Sequence, residues 1–191
     1  MITVLSPAKT LDYSVNYTDK HTVPSFLPKS SLLVKTLKAK EPSEIASLMG
    51  LSDKLASLNF DRYQSWNASK KLSNTAKPAL LVFKGDVYQG LQAEDFNKQD
   101  MTFAQKHLRI LSGLYGALNP LDFMKPYRLE LGPNLQINGC KMLYEFWGDT
   151  VRDSVLSDSD TLINLASNEY SVSYTHLRAH ETSLPLVCRL L

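Results

Sequence analysis

Long apolar runs are missing from this chain of 191 residues, in which no stretch approaches the roughly 18 apolar residues that a membrane-spanning helix needs. No membrane partner is expected. Cysteine and histidine are scarce, at two and four. Cys140 and Cys188 stand far apart and make no metal-type pair, which points to reduced thiols rather than a disulfide framework. The opening MITVLSPAKT has an apolar stretch of only four residues with no basic region before it, so it is not read as a secretory signal. A cytoplasmic protein is expected. Neither sign of charge dominates, with 21 Lys and Arg against 19 Asp and Glu, and only 8 Gly and 9 Pro exclude a collagenous or low-complexity chain. Also absent are a Walker phosphate loop, a dinucleotide glycine fingerprint, a zinc-ligand spacing and a Gly-x-Ser-x-Gly elbow. No cofactor and no metal site is expected.

What is present begins with an oddity at the carboxyl end. Residues 172–182 read VSYTHLRAHET, the string produced when a common sequencing-library adapter is translated in one frame. Residues 172–191 are therefore expected to be a non-native read-through tail, leaving one domain over residues 1–171, cut off near Ser171. The other reading is a genuine helix with His176 and His180 at the i, i+4 spacing of a metal pair. Within 1–171 the charge is polarised: residues 1–84 hold 12 basic and 6 acidic side chains, net +6, and residues 85–171 hold 7 and 12, net −5. A positive face for a polyanion is one consequence, and mixing of the two halves on folding is the alternative.

Apolar spacing predicts strands at 2–5, 79–83, 128–131, 135–137 and 161–166, the last of them buried. It predicts helices from residue 30 to Pro42, over 44–49 with Ser43 as N-cap, after Ser52 or Asp53 with Leu55, Leu58 and Tyr63 on the apolar face, and over 103–114 and 141–155. Residues 12–28 read as loop. Uneven alternation of helices and strands favours a mixed α/β or α+β domain, with a central mixed sheet flanked by helices.

The segment LMGLSDKLA, residues 48–56, has the spacing of a helix-hairpin-helix element. Gly50 permits a tight reversal, Leu48 and Leu51 anchor it, and Ala56 lets the helices approach. The amides opening the second helix, at Gly50, Leu51 and Ser52, would face a phosphate together with Lys54. Such a device grips the DNA backbone without reading bases. An ordinary amphipathic hairpin is the alternative, since Asp53 places a negative charge beside the proposed phosphate.

Polar clusters follow three of the predicted strands: Ser6 to Thr10, Lys84-Gly85-Asp86 and Ser167-Asn168-Glu169. Ligand loops of α/β proteins sit at such places. Lys9, Lys84, Arg109 and Arg128 could gather anionic groups, and Asp12, Asp86, Glu130 and Glu169 could accept protons or balance those charges. Taken singly, each reads more readily as a solvated or paired surface charge. His107, beside Lys106, reads as a solvated helical position.

Six blocks, SPAKTLDY, FKGDVYQGL, LRILSGLYGALNPLD, PYRLELG, LYEFWGD and INLASNEY, occur in order over residues 1–171 and resemble the peroxide stress protein YaaA family, also called UPF0246. The resemblance implies a bacterial cytoplasmic protein induced by hydrogen peroxide that lowers free iron and limits oxidative damage. It implies a helix-hairpin-helix, a basic cleft that binds double-stranded or branched DNA, and a carboxy-terminal portion beyond this chain. The family's blocks also contain Lys9, Lys84, Asp86, Arg109, Arg128, Trp147 and Glu169. A monomeric DNA-binding stress protein is thus the first expectation. An enzyme acting on a nucleotide or nucleobase in a pocket of post-strand loops is the second, and catalytic residues stay unassigned. Direct iron sequestration is a third reading, with little support from two histidines far apart in 1–171.

Overall fold

In a computed structural model of the chain, the described residues are 1–17, 20–68, 75–159 and 161–171. The expected read-through tail, with His176, His180 and Cys188, lies outside them. Strand β1 (Ile2–Leu5) forms where expected, with Ile2, Val4 and Leu5 buried. Between the two-residue strand β2 (Thr10–Leu11) and helix α1 (Leu27–Lys38), the described residues 12–17 and 20–26 form loop with one isolated bridge from Thr22 to Asp122, whereas residues 27 and 28, expected in the loop, belong to the helix. That helix starts before residue 30 because Pro28 occupies its first turn, where a missing N–H breaks no helical bond. Pro42 likewise opens α2 (Pro42–Met49), so the N-cap is Glu41, in a capping box with Glu44, and not Ser43. Helix α3 (Asp53–Ser65) buries Ala56, Asn59 and Tyr63; Leu55 and Leu58, expected on the apolar face, are instead 43% and 44% exposed.

The apolar run 79–83 is not a single strand. It divides into β3 (Lys77–Pro78), the one-turn helix α4 (Ala79–Val82) and β4 (Phe83–Lys84). Every residue of that turn is buried, so alternation carries no information there. After α5 (Asp86–Leu91) comes α6 (Lys98–His107), which passes without a loop into β5 (Leu108–Ser112). The helix expected over 103–114 is therefore half strand. Phe103 is 64% exposed, whereas Ile110, Leu111 and Ser112 are buried in succession, which a strand covered on both faces satisfies.

The side chain of Asn97 accepts the amides of Gln99 and Asp100, capping the start of α6. Asn97→Ala is expected to cost about 1 kcal/mol. Urea unfolding should show the loss as a lower midpoint with an unchanged slope.

Strands β6 (Gly116–Leu118) and β7 (Phe123–Met124) precede a long irregular stretch. The segments 128–131 and 135–137, expected as strands, make no ladder, although Leu129, Leu131, Leu135 and Ile137 are buried. Their side chains fill the core while the backbone bonds elsewhere, so burial alone produced the strand-like pattern. The helix expected over 141–155 is cut at Gly148, φ 47°, into α7 (Leu143–Trp147) and α8 (Thr150–Leu156). Strand β8 (Leu162–Asn164) and the short α9 (Asn168–Ser171) complete the described chain. β8 is half exposed to exposed, not buried as expected.

The central sheet has the order β6-β5-β1-β8, with β1 parallel to both β5 and β8 and β6 antiparallel to β5. Two small ladders, β2 with β4 and β3 with β7, lie outside it. Helix α6 packs on β1 and β5, and α8 on β6. The fold class is mixed α/β, a single domain with one shared core. Because β1, β5 and β8 run in one direction, their carboxyl ends, followed by Ser6, Gly113 and Ser167, open on one edge of the sheet.

Candidate binding cleft

That edge carries a cleft. The loops after β1 and β8 are stapled there: the Ser167 amide donates to Ser6 Oγ at 2.8 Å, and the two hydroxyls lie 3.2 Å apart. Tyr88 donates to the Ser6 carbonyl at 2.7 Å. The third wall is the irregular segment around Arg128, pressed onto the end of β5. A Cβ added to Gly113 would lie 2.4 Å from the Leu129 carbonyl oxygen, so only glycine permits this approach.

Charges of both signs converge on this wall. Glu130 Oε1 lies 2.7 Å from Arg128 Nη2 and 3.4 Å from Lys9 Nζ. Glu169 Oε1 accepts the Gly132 amide at 3.1 Å. Tyr127 and Tyr170, 5% and 4% exposed, line the interior of the cleft. Burial pushes both hydroxyls far above the ordinary tyrosine range, so each keeps its proton and can donate. The Tyr127 hydroxyl shares a 2.6 Å bond with Ser112 Oγ. The volume of the cleft, which is open on one side, is about 120 Å³.

Three of the six residues expected to share a pocket therefore meet here: Lys9, Arg128 and Glu169, with Glu130 beside them. The other three stand outside. Lys84 pairs across the small ladder with Thr10 and spends its ammonium on Glu94. Asp86 is exposed in the first turn of α5. Arg109 lies near the amino end of β5, away from the cleft, with Nη2 2.6 Å from Asp158 Oδ2 and Nη1 on the Gln105 carbonyl. Trp147 is a core residue, 2% exposed. His107 touches the Met1 carbonyl with Nδ1 at 2.9 Å. Tyr127 and Tyr170 were not singled out beforehand; each lies inside a quoted block, and the only signal was a large aromatic next to a charged residue.

The hairpin lies on the other side of Arg128. Gly50 takes the left-handed conformation, φ 60°, between α2 and α3. The amides of Gly50 and Leu51, expected to be open, are both occupied by the Ala46 carbonyl, that of Leu51 at 3.0 Å. The first bond of α3 runs from the Ala56 amide to Ser52, and Ser52 makes no side-chain cap. The amides of Asp53, Lys54 and Leu55 are thus the helix's free donors. Lys54 is exposed. Tyr63 of α3 donates its hydroxyl to the Arg128 carbonyl, joining hairpin to cleft.

A family model described as peroxide stress protein YaaA matches residues 1–187. Two curated relatives are each named UPF0246 protein. That of Hahella chejuensis is 49% identical over 193 residues, covering 98% of this chain and 74% of the relative. That of Saccharophagus degradans is 49% identical over 176 residues, covering 89% of this chain and 68% of the relative.

Proposed function

Since the chain belongs to the peroxide stress protein YaaA family, we propose that its role in the stress response is exercised on DNA, through the α2–α3 hairpin, and that this contact helps limit iron-dependent oxidative damage. The observation that carries the reading is the reversal at Gly50 with three uncapped amides and an exposed lysine at the start of α3. Backbone donors and the positive end of the helix grip a phosphate oxygen, and Lys54 adds a mobile charge. Contacts of this kind hold any sequence. Excess basic charge in residues 1–84 would draw the duplex toward this half of the chain.

Lys54→Ala is expected to reduce the salt slope of duplex binding by about one unit, the share of one phosphate contact. Lys54→Glu should weaken binding by similar factors on unrelated sequences. Fluorescence anisotropy across a salt series measures both. Variants that match the parent at low and moderate salt would make the hairpin a scaffold and end this reading.

A further inference from the structure

We infer that the cleft at the carboxyl ends of β1 and β8 is a binding site for one uncharged nitrogen heterocycle of the nucleobase type, which gives an N–H to Glu169 and takes a hydrogen bond on a carbonyl or ring nitrogen from Tyr170.

Size sets the first limit. About 120 Å³ is well below the roughly 300–1,000 Å³ of pockets for larger ligands, so the cleft seats one small ring system and any attached sugar and phosphates would lie outside it. Charge sets the second. Lys9 and Arg128 stand against Glu130 and Glu169, so the lining is neutral in sum and repels neither edge of a neutral, mixed donor and acceptor ligand. A phosphate would meet two carboxylates. An amino acid would need a free cation for its carboxylate, and Arg128 is already bound to Glu130, while the Lys9 side chain is 70% exposed.

Unused hydrogen-bonding capacity supplies the third limit. Tyr170 is 4% exposed and lines the cleft, yet no hydrogen bond reaches its hydroxyl among the described residues. That hydroxyl is not one of the buried atoms left without a partner, so it opens to the cleft and is free to donate to a ligand. Glu169 uses Oε1 on Gly132, and its Oε2 has no partner among the described residues. Arg128 Nε and Glu130 Oε1 are also buried without an aligned hydrogen bond. The open Tyr170 hydroxyl and Glu169 Oε2, a donor and an acceptor adjacent in α9 and lining one cleft, match the neighbouring acceptor and donor on the edge of a base. Serine hydroxyls and tyrosine rings around them give a rim and faces suited to a flat ligand.

Two sources present this chemistry: a free base, and a base turned out of a DNA strand. The second source rests on the DNA reading above; the first does not.

The test uses the full chain and calorimetric titration with adenine, hypoxanthine, cytosine and uracil, beside glycine and inorganic phosphate. In parallel, anisotropy compares a fully paired duplex with one carrying a single unpaired base. At least one base, or the unpaired-base duplex over the paired one, should bind saturably. Glu169→Gln should weaken that binding about tenfold or more, as expected when a hydrogen bond to a charged group is lost. Tyr170→Phe should weaken it a few-fold, and circular dichroism should show both variants folded. Base binding that survives Lys54→Ala while duplex binding falls separates cleft from hairpin. Loss of all duplex binding with base binding intact would remove the DNA reading and leave the cleft. Failure of both ligand arms, equal binding by Glu169→Gln and Tyr170→Phe, or binding of glycine or phosphate in place of a base would overturn the proposal.

Discussion

Trp147→Ala is expected to lower stability by about 3–5 kcal/mol, the range for truncating a buried aromatic to alanine. Against a typical total of about 5–15 kcal/mol this removes a large share of the stability of the fold. The ring is 2% exposed, meets Phe26 and Phe146 edge-on, and carries the Lys29 ammonium 5.5 Å from its centroid. Its Nε1 donates to the Gly113 carbonyl at 2.9 Å, so truncation leaves both a cavity and an unpaired buried oxygen. Gly116 packs so closely that a Cβ there would lie 2.8 Å from the indole, and having no side chain it cannot itself fill the gap. Guanidinium unfolding of parent, Trp147→Phe and Trp147→Ala should give a graded series, with Phe keeping much of the packing but losing the bond to Gly113. A loss below about 1 kcal/mol for alanine would mean that the pocket around the indole collapses freely.

Gly113→Val is expected to damage fold and cleft together. Its Cβ would overlap the Leu129 carbonyl and approach the Glu130 carbonyl at 3.0 Å, and both obstacles are backbone rather than yielding side-chain ends. Gly113 cannot retreat, because its carbonyl is tied to Trp147 on the opposite side. The segment bearing Arg128 and Glu130 must move outward instead. Overpacking of this kind costs about 1–3 kcal/mol, with valine above alanine. In a chain of this size that is a fall in melting temperature of about 2–4 °C for each kcal/mol. Scanning calorimetry of Gly113→Ala and Gly113→Val measures it. Unchanged melting of both would show that the two segments do not approach as closely as described.

Much of the architecture was legible in residue order because its signals are local. β1 is a short apolar run ended by Ser6-Pro7, and the α2–α3 hairpin is written in Gly50 and the helical spacing on either side. Where the environment is buried on all sides, the pattern loses its period, and so Ala79 to Val82 passed for strand and Leu108 to Ser112 for helix. Lys9 and Glu169 could be placed together because both follow strands that turn out parallel to one another. Arg109 could not be excluded, since its position near the amino end of β5 depends on where α6 stops, and its pairing with Asp158 is a long-range contact. The approach of Leu129 to Gly113 is also non-local, and only three-dimensional packing gives that glycine its purpose.

The position of β1 inside the sheet fixes the sequence of events by which the chain can fold. Its partners are Leu108 to Ile110 on one side and Leu162 to Asn164 on the other, so the first residues made are the last to be fully paired. At a synthesis rate of about 5–20 residues per second, β1 waits on the order of ten seconds for β5 and longer for β8. Closing loops of that length before any parallel ladder forms makes the sheet slow to nucleate. The helices α1, α2 and α3, with contacts close in sequence, can organise during the delay. Until then Ile2, Val4 and Leu5 are an apolar segment without its ladder partners, a surface that a chaperone can cover on the nascent chain.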